Sequence, residues 1–380
     1  MTTPIAIAVV DSILDIDAAS VDRLLPANDP FLSRAFLAAL ECHGAAGPQL
    51  GWTPQHLVAR SGDDEIVGLL PLYVKTNSFG EFIYDWSWAH AFEQSGVPYY
   101  PKLFSGIPYT PATGARLWVA GEHADVVRSA LIDAAISLAQ QNHLSSWHVA
   151  FPSIADQSTL ASAGLLTRHD VQYHWQQRGW KNFDDYLSSF ASAKRRKVRA
   201  ERRKVAEANI KIDVLAGDAV AADLWTIIHA LYSSTFDKFG NYPALSEQCL
   251  AEIGAALGDR MVVFVARCEG LPVATSICFR NDDTLYGRYW GAAKRIDGLH
   301  FELCYYQGIE YCLRHGLKRF EPGAGGEHKI ARGFEPVQVT TMHWIADPRM
   351  REILRMHLEK NSDAVEQYAT EAGAHLPFKS

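Results

Sequence analysis

Residues 320–334 bring together the side chains that are best suited to chemistry in this sequence. The segment reads FEPGAGGEHKIARGF. Its glycines let the backbone approach a ligand closely. Four charged or proton-accepting side chains follow these glycines, namely Glu327, His328, Lys329 and Arg332. Glu327 or His328 can accept a proton from an attacking amine, whereas the two cations can hold an anionic group or offset an oxyanion. We therefore predict a functional loop, and a glycine-rich turn with solvated charges is the alternative.

A second set of candidate residues lies in the turn between a predicted strand at 284–291 and a predicted helix at 300–315. Arg295, Gly298 and Leu299 directly precede this helix. Backbone N–H groups and the partial positive charge at a helix N-terminus favour anions. The spacing of Arg295 and Gly298 resembles the Arg-x-x-Gly part of the coenzyme A pyrophosphate loop in GNAT acetyltransferases. The turn is therefore predicted to bind a cofactor, and an ordinary connecting loop is the alternative.

Aromatic residues supply the other candidate positions. Tyr289 and Trp290 end the strand before this turn, so Tyr289 can protonate a leaving group and Trp290 can line a substrate cleft or pack in the core. Residues 76–113 combine many aromatic residues with prolines that disfavour regular structure. Within this segment, the candidate substrate-binding residues are Asp85, Trp86 and Tyr100. This composition predicts either a lid that completes the core or an aromatic wall for a substrate cleft.

The elements that would position these residues occur twice in the same order. In the first half, helices are predicted at 29–43 and 122–141, and strands at 56–60, 65–75, 115–119 and 146–151. In the second half, strands are predicted at 261–267, 271–280, 284–291 and 318–321, and a helix at 300–315. A strand, a helix and a strand at this spacing indicate a crossover with parallel pairing. The repeated order indicates an internal duplication.

We therefore predict an α/β (α+β) protein of two tandem halves, each with a mixed sheet flanked by helices. The predicted domains are residues 1–180, with the insertion at 76–113, and residues 211–380, with the catalytic groups. Residues 181–210 form a connecting helix that is unusually basic, since eight of the eleven residues 194–204 are Lys or Arg. A solvated helix face is the common explanation for such a run. A phosphate-bearing substrate or an RNA such as tRNA is the other candidate partner.

The overall composition excludes several classes of protein. A net charge of −7 argues against a general nucleic-acid binder, and 48% hydrophobic with 21% charged residues is typical of a globular protein. No stretch approaches the roughly 20 consecutive apolar residues of a membrane span, and residues 1–30 have no basic leader pattern. The six cysteines form no CxxC pair and suit reduced thiols. We expect a cytoplasmic protein without a structural metal.

Several segments together resemble a known family. They are residues 80–82, Asp85-Trp86, residues 100–103 and 108–114, the basic run with Arg199 and residues 201–203, and residues 320–334. This combination resembles the FemAB-like predicted N-acyltransferases, or peptidoglycan biosynthesis/recognition proteins, of the GNAT superfamily. The resemblance implies two tandem GNAT-like domains. For Fem transferases it also implies an aminoacyl-tRNA donor and a cell-wall precursor as the acceptor. This chain lacks an evident long coiled-coil arm, and its pyrophosphate loop is incomplete, so both acyl-CoA and aminoacyl-tRNA stay open as donors.

The predicted activity is direct transfer of an acyl or aminoacyl group to an amine, either of a small molecule or of a peptidoglycan precursor. A non-catalytic binding module for a cell-wall or nucleotide-linked ligand is the main alternative. A metal-dependent hydrolase that uses His300 and His328 is a weaker one, because no HExxH or comparable ligand spacing is present. A serine hydrolase is disfavoured, because the sequence has no GxSxG motif.

Overall fold

The computed structural model describes residues 5–25, 29–121, 124–238 and 240–379. The chain forms two units that are discontinuous in sequence. The first unit comprises Met1–Asp170 and Gln338–Glu366, and the second comprises Val171–Val337 and Gln367–Ser380. These bounds differ from the continuous division expected from the sequence, because residues 338–366 return to the first unit.

The first unit contains two groups of paired strands. Its strands are β1 (Ala6–Val10), β2 (Trp52–Pro54), β3 (His56–Arg60), β4 (Ile66–Leu70), β5 (Tyr73–Lys75), β6 (Lys102–Ser105), β7 (Trp118–Val119) and β8 (Ser146–Ala150), with parts of β9 (Leu166–Gln176) and β15 (Glu335–Ile345). Its helices are α1 (Ala18–Leu24), α2 (Arg34–Cys42), α3 (Trp86–Gln94), α4 (Ala124–Gln141) and α5 (Ile154–Ser162), with most of α12 (Pro348–Gly373). One sheet has the order β1-β3-β4-β7, and the other strands follow the order β15-β8-β6-β5-β2. A core that includes Leu57, Leu131 and Trp147 lies between α4 and these strands.

Two predicted elements of the first unit have different bounds in the structure. The helix predicted at 29–43 begins only at Arg34, where Ser33 accepts a hydrogen bond from the Phe36 N–H at 3.2 Å. Asp29 instead accepts from the N–H of Phe31 in the preceding turn. The strand predicted at 65–75 is divided into β4 and β5, which belong to different sheets. Pro71, which has no N–H to donate, lies between them.

The expectation of irregular structure at 76–113 was wrong for two parts of this segment and is confirmed for the others. This segment contains α3 and β6, and β6 pairs with β5 on one side and with β8 in parallel on the other. Pro101 directly precedes β6, where its missing N–H removes no bond within the strand. The strand predicted at 115–119 is only two residues long as β7, and it pairs with β4 rather than with β8.

The second unit is built on one mixed sheet. Its own strands are β10 (Ile210–Ala216), β11 (Met261–Cys268), β12 (Leu271–Arg280), β13 (Thr284–Ala292) and β14 (Arg319–Glu321). With the end of β9 they follow the order β10-β11-β12-β13-β14-β9. Its helices are α6 (Phe183–Ser188), α7 (Ser192–Glu207), α8 (Ala222–Lys238), α9 (Glu247–Leu257), α10 (Leu299–Phe301) and α11 (Gln307–His315). The hairpin predicted from residues 261–280 is confirmed, since β11 and β12 are antiparallel.

The predicted crossover in the second unit is also confirmed. β13 and β14 pair in parallel, and one helical run from residue 299 to residue 315 connects them. A π-helical turn at Glu302–Tyr306 interrupts this run between α10 and α11. Such turns place side chains where a regular helix would not, and they are frequent at functional sites. Tyr305 and Tyr306 lie in this turn and are both buried.

Candidate functional site

A cavity of about 680 Å³ opens at the turn after β13 in the second unit. It is lined by the end of α8, by Trp290 and Ala292 of β13, by residues 294–298, and by the start of the following helix. Lys238, Lys294 and Arg295 all line it, whereas Asp297 is the acidic lining residue. This excess of positive charge, together with the partial positive charge at the start of a helix, suits an anionic group of a ligand.

Gly298 fixes the backbone of this turn. Its φ of 88° lies in the left-handed region, and a Cβ there would come within 2.8 Å of the Glu201 carbonyl oxygen of α7. Only glycine combines this conformation with such a close approach at low cost. Lys204 of α7 also contacts Asp297 at 3.8 Å. The turn is therefore held against α7, while the Arg295 side chain is 94% exposed and lies 3.9 Å from the Asp297 carboxylate, a weak surface pair that a ligand phosphate can replace.

The predicted cofactor-binding residues are thus brought together at one cavity, which Arg295, Gly298 and Leu299 all line. Trp290 lines it too, and its ring lies 5.2 Å from that of His300 in an edge-on arrangement. Burial, with smaller effects of nearby His328 and Arg332, lowers the pKa of His300 to about 4. His300 therefore forms a neutral part of the wall at pH 7.

The glycine-rich loop adjoins this cavity through His328. The His328 ring lies 6.3 Å from the ring of His300 and 5.9 Å from that of Phe301, and both of these residues line the cavity. His328 itself is exposed, and its Nε2 lies 2.7 Å from the hydroxyl of Tyr305. The residue is exposed overall, but its ring is partly buried against Tyr305, and this partial burial, followed by the charges of Lys329 and Arg332, lowers the His328 pKa. A neutral imidazole thus borders the cavity wall.

Glu327 is exposed on the same loop and is held by a tyrosine pair. The Tyr368 hydroxyl donates to Glu327 Oε1 at 2.6 Å, and it lies 2.6 Å from the hydroxyl of Tyr173. Burial raises the pKa of Tyr368, and the bond to Glu327 raises it further, so Tyr368 stays protonated. One carboxylate oxygen of Glu327 is oriented by this bond, and a carboxylate has a second oxygen that can accept a proton.

Lys329 and Arg332 are buried, in contrast to the two residues before them. The Lys329 ammonium donates to the Gly323 carbonyl at 2.6 Å, and burial lowers its pKa to about 8. Arg332 donates to the His328 carbonyl at 2.7 Å and to Glu201 at 2.8 Å, and its guanidinium lies 3.4 Å from the centre of the Phe301 ring. Arg332 therefore ties the loop to the helices around it. Direct substrate binding by these two cations stays a prediction.

Tyr289 lies apart from the other predicted catalytic residues. Its ring packs edge-on against Tyr232 of α8 at 5.2 Å, and burial raises its pKa to about 12. The described residues that line the cavity include Trp290 but not Tyr289. Successive side chains of a strand point to opposite faces, which accounts for this difference. A role for Tyr289 as a proton donor stays a prediction.

The predicted substrate-binding residues of the first unit have different environments. Asp85 is buried and accepts hydrogen bonds from Lys102, Tyr99 and Ser78. The Tyr100 hydroxyl lies 2.7 Å from that of Ser78. Trp86 starts α3 and is 66% exposed. Asp85 is therefore part of a buried ionic cluster, whereas Trp86 is open to a ligand.

Sequence reasoning missed the residues that support the loop. Tyr305, Tyr368 and Glu201 each bond to a loop residue, but they are 23, 41 and 131 positions away from their partners. Glu201 carried a weak signal, because it is the one acidic residue within the basic run 194–204. Lys238 was missed because the last residue of an amphipathic helix is commonly a solvated lysine.

The basic run divides into inward and outward residues in α7. Arg202 donates to Glu302 at 2.9 Å and to Glu310 at 2.7 Å, so its charge is satisfied within the second unit. Several other cations of the run are exposed, namely Lys194, Arg196, Lys197, Arg199, Arg203 and Lys204. The helix thus has a structural side and a positively charged open side.

Comparison with solved structures identifies the class of fold. The chain is similar to FemX, with 12% identity, a TM-score of 0.52, and coverage of 90% of this chain and 98% of that chain. It is also similar to L-PGS from Bacillus licheniformis, with 12% identity, a TM-score of 0.50, and coverage of 85% and 95%. A tandem GNAT protein from the clavulanic acid biosynthesis pathway matches with 13% identity, a TM-score of 0.46, and coverage of 91% and 99%. The matches to FemX and L-PGS confirm the predicted α/β fold class.

The sequence itself identifies the family. The profile of the FemAB-like family, described as peptidoglycan biosynthesis/recognition, matches residues 12–380. The chain therefore belongs to this family, as its motifs predicted. Among curated proteins, none matches the sequence.

None of the helices within residues 5–25, 29–121, 124–238 and 240–379 combines the length and apolar character needed to cross a membrane. Over the same residues, His, Cys, Asp and Glu side chains form no group of three or more that could hold a metal ion.

Proposed function

We propose that this protein is an N-acyltransferase that moves an acyl or aminoacyl group from a donor in the cavity of the second unit onto an amine. The supporting observation is the cavity itself. Its cations, Lys238, Lys294 and Arg295, suit a phosphate-bearing donor, and its wall contacts His328 of the glycine-rich loop. Donor binding and proton acceptance would then occur side by side.

The reaction follows from the groups at this site. The amine nitrogen attacks the donor carbonyl carbon, a C–N bond forms, and the bond to the leaving thiol or hydroxyl breaks. Glu327 or His328 accepts the proton of the amine, and the leaving group takes up a proton in turn. An N–H group of the protein that donates a hydrogen bond to the carbonyl oxygen stabilises the negative charge that develops on this oxygen. No covalent enzyme intermediate is required.

The donor is a phosphate-bearing molecule of one of two kinds. Acyl-CoA would place its pyrophosphate at the turn of Arg295 and Gly298. Aminoacyl-tRNA would in addition use the exposed cations of α7, of which Lys204 reaches Asp297 at the cavity. The acceptor is an amine of a small molecule or of a peptidoglycan precursor, in keeping with the family. A cytoplasmic location suits all of these substrates.

The cavity cations should contribute directly to donor affinity. We expect Arg295→Ala and Lys238→Ala each to weaken binding of the donor roughly tenfold, because each removes a charge-assisted hydrogen bond to phosphate. Isothermal titration with CoA and acetyl-CoA, and filter binding with aminoacyl-tRNA, would measure this. Lys181→Ala is the control, because Lys181 is an exposed lysine of the same unit that does not line the cavity. Unchanged affinity in both cavity variants would place the donor elsewhere.

Glu327 should be needed for turnover rather than for binding. We expect Glu327→Gln to lower kcat about 100-fold with little change in KM, because glutamine keeps the size of the side chain but cannot accept the proton. The matched control is Glu269→Gln, at an exposed hairpin turn of the same unit. Transfer would be followed by mass spectrometry of the acylated amine. Equal kcat in Glu327→Gln and wild type would exclude Glu327 as the base.

The same experiments test the alternative of a binding module. Such a module would bind a nucleotide-linked or cell-wall ligand, yet no donor and amine pair would yield an acylated product. Ligand binding without product formation in the wild-type protein would favour this second function.

A further inference from the structure

The contact between His328 and Tyr305 determines which ring nitrogen of His328 carries its proton. Tyr305 Oη lies 2.7 Å from His328 Nε2, which is a normal hydrogen-bond distance. The Tyr305 ring is fixed by Phe301, at 6.1 Å in a stacked arrangement, and by Phe334, at 5.4 Å edge-on. The hydroxyl is therefore held in place by packing that does not depend on the hydrogen bond.

The direction of this hydrogen bond follows from the burial of Tyr305. A buried phenol needs an acceptor for its proton, and among the described residues His328 Nε2 is the partner found for the Tyr305 hydroxyl. If Nε2 instead carried a proton and donated it to the oxygen, the phenol proton would lack an acceptor. Burial also raises the pKa of Tyr305, so the hydroxyl keeps its proton at neutral pH. Tyr305 thus donates, and Nε2 accepts.

A neutral imidazole that accepts at Nε2 must carry its proton on Nδ1. We propose that Tyr305 is a positioning residue that holds His328 as the Nδ1–H tautomer, so that His328 is a hydrogen-bond donor in the site and Glu327 is the proton acceptor. The tautomer of His328 is set by the folded protein and does not depend on any substrate or on the proposed reaction. The division of roles between His328 and Glu327 rests on the transfer reaction proposed above.

The surroundings of His328 keep its Nδ1 accessible and its ring neutral. Gly326 lies beside the ring, and a Cβ at that position would come within 2.7 Å of Cε1 and 3.2 Å of Nδ1. Its φ of 93° also favours glycine. The charged and titratable groups that face the ring are Lys329 and Arg332 from the loop and His300 from the helix, and no acidic group contributes to its pKa shift. Both cations disfavour a second proton on His328.

The tautomer can be measured without any substrate. We would record ¹⁵N spectra of the full-length protein with labelled histidine and identify the His328 signals by their loss in His328→Asn. We expect the Nδ1–H signature in the wild type. In Tyr305→Phe the ring packing is kept, and we expect His328 to shift toward the Nε2–H form and its pKa to rise, because a donor to the neutral form has been removed. Tyr311→Phe is the control, since the Tyr311 ring stacks on His315 at 4.1 Å while its hydroxyl bonds to Arg280.

Turnover then separates a donor role from a base role. Tyr305→Phe should lower kcat about tenfold at nearly constant KM. His328→Asn, which keeps an N–H group close to the position of Nδ1, should keep at least tenfold more activity than His328→Ala. An Nε2–H signature in the wild type, or a signature unchanged in Tyr305→Phe, would overturn the inference, as would equal loss of activity in the Asn and Ala variants. If no substrate pair reacts at all, the proposed function fails, while the spectra still decide the tautomer.

Discussion

Replacement of Lys102 by methionine is expected to lower the free energy of unfolding by about 3–5 kcal/mol, because it leaves buried carboxylates without their counter-ion. Lys102 opens β6, and its side chain and those of Glu81 and Asp85 are all 0% exposed. The ammonium lies 2.8 Å from Glu81 and 2.5 Å from Asp85. Methionine has a similar length, so the loss of stability reports the missing charge and not a change in side-chain volume.

The pKa shifts in this cluster show which carboxylate is the main partner. Burial, the largest single effect, would raise the pKa of Asp85, but the charge of Lys102 together with the hydrogen bonds from Lys102, Tyr99 and Ser78 holds this pKa below its usual value. The pKa of Glu81 is raised, mainly by burial, despite the opposing charge of Lys102. Lys102 keeps its charge, since Glu81 and Asp85 outweigh the effect of burial on its pKa. The pair between Asp85 and Lys102 is therefore the ionic centre, and Tyr99 and Ser78 complete it with hydrogen bonds to Asp85.

Urea titration followed by circular dichroism would measure this loss of stability. Lys360→Met is the control, because Lys360 is an exposed lysine in the same unit. We further expect the triple variant Lys102→Met, Glu81→Gln, Asp85→Asn to recover at least half of the loss, since the uncompensated charges are then removed. A loss below about 1 kcal/mol for Lys102→Met would show that water reaches the cluster and screens it.

The fold could be predicted from the sequence to the extent that local patterns determine it. The hairpin of β11 and β12 and the crossover from β13 to β14 follow from hydrophobic runs and turn residues along a short stretch of chain. The segment 76–113 could not be predicted in this way, because β6 is stabilised as a strand by pairing with β5 and β8, which are distant in sequence. The prolines of the segment all lie outside α3 and β6, so they do not oppose this pairing.

The residue types of the candidate site could be selected from the sequence, whereas its geometry could not. The turn with Arg295 and Gly298 and the loop with Glu327 and His328 were both selected from residue types, and the structure brings His328 against the cavity wall. The partner of His328 was not predictable, because Tyr305 reads as one of several core residues on a helix face. Its special position depends on the π-helical turn, which leaves no local signature in the sequence.

The first unit illustrates the same limit for buried charges. Glu81, Asp85 and Lys102 all lie in motifs that carry the family resemblance, yet they are separated by up to 21 residues. Nothing in their spacing reveals an ion cluster, because their approach requires the chain that precedes α3 to fold back onto the first residue of β6. Such a cluster is recognised from coordinates, and its contribution to stability can then be tested.

A fall in pH below 6.5 is expected to destabilise the protein steeply through His148 and His343. The two rings are buried, and their Nδ1 atoms lie 2.6 Å apart, so one ring donates and the other accepts. The remaining nitrogens contact hydroxyl groups, with Ser146 at 2.7 Å from His148 and Thr341 at 2.8 Å from His343. The pair is fully bonded in its neutral form. Protonation of both rings would place two N–H groups against each other, and burial disfavours the charge of even one ring.

The direction of the effect follows from the shift in both pKa values. Burial lowers the pKa of each histidine well below 6.5, and the charges of Lys102 and Arg168 act in the same direction. His343 also feels its neighbour His148, and Asp85 opposes the shift only partly. The unfolded chain therefore takes up protons below pH 6.5 that the folded protein cannot bind. Stability is present above pH 6.5 and is lost as the pH falls below it, by about 2 kcal/mol for each histidine between pH 8 and pH 5, or roughly 4 kcal/mol for the pair.

Unfolding free energies from urea titrations at several pH values between 8 and 5 would test this expectation. The slope against pH reports the difference in bound protons between the unfolded and folded states. We expect His148→Gln with His343→Gln to reduce this slope by nearly two protons at pH 5, even if the variant is less stable at pH 8. His90→Gln, at an exposed histidine of the same unit, should leave the slope unchanged. A double variant with the wild-type slope would mean that other groups, such as His174 with a pKa of about 3 in the second unit, carry the acid sensitivity.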